Sequence, residues 1–298
     1  MFDINYSVPW FLDRPQSIGF NIFKRELDST LLTGQTYYQD NFGGAITYGR
    51  NLGLFGNASV TFSRFQAEER RTDFNAEGQL VDQAVDRTVA MLRFSYVKDR
   101  RNARLQPTAG YRYSFIVDYA GGVLGGNTDF VRPQVTASRY FPVKRTGLQT
   151  SFAVNTRIGL IEPLEGESLY FNDRFYLGGE NSVRGFQYRS SWVRDPNGQS
   201  VLDAFGFPLG GDKTFQFNAE MIVVLGGPFR AVLYGDAGKV FADDESLNVT
   251  NLRMSTGVEL QVNVPILGAP LRFIYAYNLD PLPDDRFETF QFSIGPSF

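Results

Sequence analysis

The sequence of 298 residues contains no histidine and no cysteine. Losing histidine removes the commonest general base and metal ligand, so His-based hydrolase triads and His-ligated zinc or iron sites are excluded. Losing cysteine removes disulfides, thiolate chemistry and Cys-ligated metals, and leaves the redox compartment open. No apolar run approaches the roughly 18 residues of a membrane-crossing helix; the longest clean ones are stretches such as 221–225. The N-terminus, MFDINYSVPWF, has no basic region followed by an apolar core, so no secretory signal is read in it. A net charge of -3 without any Lys/Arg-rich segment gives no reason to expect nucleic-acid binding. No P-loop, dinucleotide fingerprint or G-x-S-x-G elbow occurs. No catalytic residue, metal ligand or cofactor is therefore expected.

What is abundant is aromatic residues, at 15% with 28 Phe, together with 30 Gly. Mean hydropathy is nevertheless -0.22. That combination suits a β-rich wall with one apolar and one wet face. A membrane-spanning barrel satisfies it, because each strand needs only about 9–11 alternating residues and the lumen side is polar. Two-residue alternation recurs along the whole chain, most clearly over 252–264. There Met254, Val258, Leu260 and Val262 share one face, while Arg253, Ser255, Glu259 and Gln261 share the other. Phe215, Phe217 and Met221 likewise oppose Gln216, Asn218 and Glu220, and Tyr111, Tyr113 and Phe115 oppose Arg112 and Ser114. No linker or charge block divides the chain, so residues 1–298 read as one β-barrel domain.

The connections alternate between tight turns at 11–15, 51–55, 142–147, 225–229 and 265–270 and mostly longer polar loops at 26–36, 66–84, 160–184, 190–212 and 241–249. Short turns on one rim and long excursions on the other are the pattern of an outer-membrane barrel. Roughly 13 strands follow: 2–10, 16–25, 39–50, 54–66, 84–98, 107–119, 127–141, 148–160, 213–225, 229–241, 250–264, 270–279 and 286–298. Single-chain bacterial barrels ordinarily have an even number, because every strand edge must be paired in lipid. An odd count predicts an odd number of further strands ahead of the first.

The segment RFYLGGENSVRGF, 174–186, closely resembles the long-loop motif of the BamA-type outer-membrane assembly family, whose core is Val183, Arg184, Gly185 and Phe186 here. The resemblance continues in SVPWFLDRPQSIGF (7–20), VKDRRNARLQPTAGYRYS (97–114), FNAEMIVVL (217–225), LYGDAGKVF (233–241), LRMSTGVELQVNVPILGAPLRFIYAYNL (252–279) and FQFSIGPSF (290–298), in the family's order. It implies an all-β fold, a transmembrane antiparallel barrel of sixteen strands with about 13 of them in this chain. Five strands follow the motif loop as in the family and about eight precede it where the family has eleven, so the expectation is that three strands and the periplasmic POTRA domains are absent.

The same resemblance implies that the loop folds into the lumen, where Arg184 pairs with Glu220 of FNAEM and Asp236 of LYGDAG. Alternation independently turns Glu220 to the lumen with Gln216 and Asn218. Phe290, Phe292, Ile294 and Phe298, on one face with Gly295 between them, resemble the C-terminal strand of outer-membrane proteins and would form one side of a weak lateral seam. The function so implied is non-enzymatic folding and insertion of other β-barrels in the bacterial outer membrane. Unfolded outer-membrane proteins would be the clients, accessory lipoproteins the subunits, and lipids and lipopolysaccharide the surroundings. A TamA-like or two-partner secretion translocation barrel shares the loop, and a passive pore and a soluble adhesin-like sandwich are the further alternatives. Asp243, Asp244 and Glu245 read as a solvated acidic loop.

Overall fold

The computed structural model describes residues 1–30, 36–74, 79–143, 147–164, 169–204 and 206–298. Its strands are β1 (Phe2–Val8), β2 (Gln16–Thr30), β3 (Thr36–Leu52), β4 (Gly56–Phe74), β5 (Leu80–Asp99), β6 (Gly110–Ala120), β7 (Phe130–Val143), β8 (Thr150–Leu160), β9 (Glu162–Pro163), β10 (Lys213–Gly226), β11 (Phe229–Phe241), β12 (Arg253–Val264), β13 (Ala269–Asn278) and β14 (Phe290–Ile294). All lie in one antiparallel sheet. Thirteen pair in sequence order from β1 to β14, and the two-residue β9 pairs back onto β7. Among the described residues no ladder joins β1 to β14, so the barrel wall has two free edges.

Alternation is realised across this wall. Phe42, Phe94, Phe152, Leu233, Val258 and Phe273 stand exposed on the outer face. Their inward neighbours, such as Asn155, Gln216, Asn218, Ser255 and Gln261, are buried. Exposed aromatics in such number are an unusual surface for water and an ordinary one for lipid.

Three expectations about strand length change. The predicted loops at 26–36 and 66–84 are largely strand, since β2 reaches Thr30, β4 reaches Phe74 and β5 starts at Leu80. The β4–β5 ladder runs unbroken from Gly56 opposite Lys98 to Phe74 opposite Leu80. Side-chain polarity marks where lipid ends, but ladder hydrogen bonds continue beyond it, so the charged run Glu68–Arg71 hides a strand. Residues 31–35 and 144–146, parts of a predicted loop and a predicted turn, lie outside the described residues. The third change is at the C-terminus. The predicted strand 286–298 contracts to Phe290–Ile294, because Gly295 takes φ +139° and turns the chain inward. A side chain rarely adopts that conformation.

The wet face is also not wet throughout. Toward the tight-turn rim the inward residues Tyr140, Ala153, Ile222, Val232, Tyr234, Ile274 and Ala276 form an apolar cluster, with Phe298 packed against it.

Candidate functional site

Between β9 and β10 the chain makes its longest excursion, and this loop enters the lumen. Leu177, Val183, Phe186 and Val193 pack on Val240 of β11. Burying these apolar side chains draws the loop inward and carries Arg184 into an almost solvent-free position, 2% exposed. Such a charge needs partners.

Three neighbouring strands supply them. Arg184 Nε donates to Asp236 Oδ2 at 2.7 Å and Nη2 to Asp236 Oδ1 at 2.8 Å, a bidentate pair on β11. The Arg184 backbone N–H adds a third bond to Asp236, at 3.0 Å. Nη1 donates to Glu220 Oε1 of β10 at 2.7 Å and to Glu259 Oε2 of β12 at 2.9 Å. The guanidinium carbon sits 3.6 Å from the ring centroid of Tyr234. Register explains the convergence. Asn218 opposes Asp236, Glu220 opposes Tyr234 and Val232 opposes Glu259, so the three carboxylates occupy adjacent inward rungs of three strands.

A second arginine extends the network. Arg272 of β13, fully buried, donates from Nε and Nη2 to Glu259 at 2.8 and 3.0 Å. It also reaches the loop, with Nη1 donating to Asn181 Oδ1 at 2.9 Å and Nη2 to the Glu180 carbonyl at 3.0 Å. Two guanidiniums thus face three carboxylates. Neutral donors satisfy the surplus negative charge: Asn218 to Asp236 at 2.9 Å, Gln261 to Glu259 at 2.7 Å and Ser297 to Glu220 at 3.2 Å.

The loop tip is tied equally to the last strand. Gly185 N–H donates to Gln291 Oε1 of β14, and Gln291 Nε2 donates to the Phe186 carbonyl, both at 3.0 Å. Gln187 N–H donates to the Arg286 carbonyl and Glu288 N–H to the Gly185 carbonyl, both at 2.9 Å, so the tip pairs strand-fashion with the segment leading into β14. Gly185 has φ +86°, and a Cβ on it would lie 2.7 Å from Ala276 Cβ. Only glycine fits this approach. Phe186 is fully buried, with its ring centroid 5.6 Å from that of Phe287.

The sequence-predicted residues thus fall into two groups. Val183, Arg184, Gly185, Phe186, Glu220 and Asp236 meet at one place, whereas the C-terminal set splits. Phe290 and Phe292 face outward, but Phe298 does not share their face. Beyond Gly295 the tail crosses the floor of the lumen, where Tyr140 Oη of β7 donates to the Phe298 carbonyl at 2.9 Å. Sequence reasoning left out Glu259, Arg272 and Gln291 as members of the site. Glu259 was legible as an inward residue of its strand, whereas Arg272 and Gln291 carry no local signal beyond parity. Outside the membrane-spanning strands, Arg174 and Asp212 bond the two arms of the loop to each other. Burial pushes the Asp212 carboxyl above its ordinary range, with Arg174 opposing.

Residues 1–298 match the Omp85 superfamily domain over their whole length. The chain belongs to the Omp85 superfamily. It is 30% identical over 217 residues to the outer membrane protein assembly factor BamA of Nitratidesulfovibrio vulgaris, covering 71% of this chain and 26% of that protein. To the BamA of Neisseria meningitidis serogroup B it is 24% identical over 340 residues, covering 99% of this chain and 41% of that protein. The chain therefore spans about a quarter to two fifths of the length of these curated relatives. A crystal structure of BamA from Haemophilus ducreyi lacking POTRA domains 1-3 has the same fold, with a TM-score of 0.79 at 20% identity, covering 97% of this chain and 60% of that one. The Omp85 wall described above is thus a BamA-like barrel wall of antiparallel strands.

Proposed function

We propose that this Omp85 domain is the barrel of an outer-membrane assembly factor that folds and inserts other β-barrel proteins without covalent chemistry. Supporting this reading are its relatives, which are named outer membrane protein assembly factors. The observation that carries it is the buried Arg184 tip, gripped by Glu220, Asp236 and Glu259 and clasped by Gln291 of the terminal strand. A tip closed to solvent and bonded on all sides blocks the lumen there, which works against a passive pore.

The terminal strand itself fits a seam. β14 pairs with β13 over only Leu271 opposite Ile294 to Tyr275 opposite Phe290, against the nineteen residues of β4. Unpaired edges are costly in hydrocarbon, so the free edges of β1 and β14 are met by each other or by strands outside residues 1–298. A short ladder is the easiest to exchange for an incoming strand by β-augmentation. On this reading the clients are unfolded outer-membrane proteins, the membrane is the bacterial outer membrane with its lipopolysaccharide, and accessory lipoproteins assist.

The test is reconstitution of the full-length protein in liposomes with an unfolded outer-membrane β-barrel as substrate, following its heat-modifiable gel mobility. The expected outcome is faster folding than in empty liposomes, lost on Arg184→Met while the protein's own barrel remains heat-modifiable. Equal folding rates with and without the protein would sink the proposal.

A further inference from the structure

The network around Arg184 holds only one end of the loop. Eleven residues earlier its descending arm meets the opposite part of the wall through a second charged station of reversed polarity. Here the loop supplies the carboxylate and the wall supplies the arginine. Arg87 of β5 donates from Nη1 to Asp173 Oδ2 at 2.7 Å and from Nη2 to Glu69 Oε1 of β4 at 2.8 Å. All three side chains are nearly solvent-free, at 5%, 7% and 0% exposure. Arg132 of β7 donates to the Asp173 carbonyl at 3.3 Å while pairing with Asp118 of β6 at 3.0 Å. The Tyr170 ring lies 4.9 Å from the Arg87 guanidinium carbon, and the fully buried Phe207, on the returning arm, lies 4.2 Å from that of Arg71 on β4.

We infer that Asp173 is a positioning residue: by seating on Arg87 and Arg132 it fixes the descending arm to β4, β5 and β7, making the loop a brace across the lumen between that wall and β10–β12. The physical ground is the loss of charge-assisted bonds in a nearly solvent-free pair. If the arm lifts, Asp173 gives up its bonds from Arg87 and Arg132, and Arg87, which faces two carboxylates when the arm is down, is left with Glu69 alone. Arg174–Asp212 and the Phe175–Gly211 backbone pair tie the two arms to each other, and the two charged stations tie them to the wall. A tip held by Arg184 on a free arm could pivot, and an arm held by Asp173 with a free tip would leave Glu220, Asp236 and Glu259 without their shared cation. This inference rests on the proposed assembly function only for its consequence, not for the brace.

The experiment uses the full-length protein in liposomes and reads trypsin cleavage after Arg189, on the loop beyond the tip, beside client folding. For Asp173→Asn the cleavage rate is expected to rise roughly tenfold or more, a factor equivalent to about 1.4 kcal/mol in the opening equilibrium. The midpoint of the barrel's own heat-modifiable transition stays in place, and client folding slows. Asp173→Glu, which keeps the carboxylate, restores both protection and rate. A purely structural role would move the midpoint in step with the rate, and that outcome overturns the positioning role. Unchanged cleavage in Asp173→Asn also overturns it. Should that variant not fold, Arg87→Lys, which cannot bridge both carboxylates, takes its place with the same expected and overturning results. If the arm loosens as expected but the wild type itself folds no client, the brace stands and the assembly reading falls.

Discussion

The two ends of this sheet hold the same kinds of residue in opposite states. From β10 to β14 the inward face around the loop tip is closed to solvent, and Arg184, Arg272, Glu220, Asp236 and Glu259 are all buried. From β1 to β3 the inward face borders a cavity of about 700 Å³ lined by residues such as Asp3, Asn5, Asn21, Arg25 and Gln39, and the ion pair there is half exposed. Arg25 Nη2 meets Asp3 Oδ2 at 2.6 Å, as short a bond as any made by Arg184. Distance therefore does not distinguish the pairs. What differs is the cost of leaving a partner bare, which is large in a dry site and small where water substitutes. The C-terminal wall is committed to one arrangement by the loop that fills it, while the first three strands are held chiefly by their own ladders.

The sharpest way to break the comparison is Arg184→Met. It preserves volume but strips buried Glu220 and Asp236 of their cation and leaves Glu259 with Arg272 alone, so a loss of about 3–5 kcal/mol is expected. A fall in the heat-modifiable transition midpoint of the purified protein measures it. If the midpoint moves no more than for a surface variant, the C-terminal lumen is wetter than described. Next in size is Gly185→Ala, which adds a methyl group where the backbone is left-handed and Ala276 Cβ would lie 2.7 Å away. Strain and overpacking together are expected to cost about 2–4 kcal/mol. The same assay, with Gly227→Ala as a control whose Cβ meets nothing within 4 Å, separates packing from left-handed strain.

How much of this was readable beforehand follows from what each level depends on. Parity alone places Glu220 in the lumen, and resemblance alone brings Arg184 to Glu220 and Asp236; in the structure all three are in contact. Glu259 stood on the inward face of 252–264, but its membership needed the β11–β12 register, which no local pattern specifies. Gln291 carries no signal of its role between Phe290 and Phe292, because what it binds is loop backbone. The last strand was overextended for a related reason. Phe298 continues the two-residue pattern in sequence, yet the turn at Gly295 sends it inward against Tyr140, with ring centroids 6.0 Å apart. Charged strand ends at 68–71 were read as loop because polarity records the lipid boundary and not the ladder.

Gln291→Met sharpens the comparison at the seam. It keeps the side-chain volume and removes the amide's two bonds to the loop tip and a longer one to Glu288, leaving the Gly185 N–H bare while the Phe186 carbonyl still accepts from Gly179 N–H at 2.9 Å. A cost of about 1–2 kcal/mol is expected, that of one buried unsatisfied donor. Because the lost bonds join the loop tip to β14, amide hydrogen exchange should speed up in 290–294 and leave β10–β12 unchanged. Equal acceleration across β10–β14 would mean that Gln291 supports the whole wall and not the seam.

The smallest effect is expected from Arg25→Met, and it is the control on which the comparison turns. The bond it removes is as short as those of Arg184, and Asp3 is also bonded by Asn21 at 2.5 Å. Water in the cavity can solvate whatever is left, so the transition midpoint should shift far less than for Arg184→Met. Raising the ionic strength should weaken the wild-type Arg25 pair and leave the Arg184 network unaffected, since screening reaches exposed charges and not buried ones. A loss on Arg25→Met as large as that on Arg184→Met would show that the β1–β3 wall is as tightly committed as the other, and burial would no longer explain the difference between the two ends.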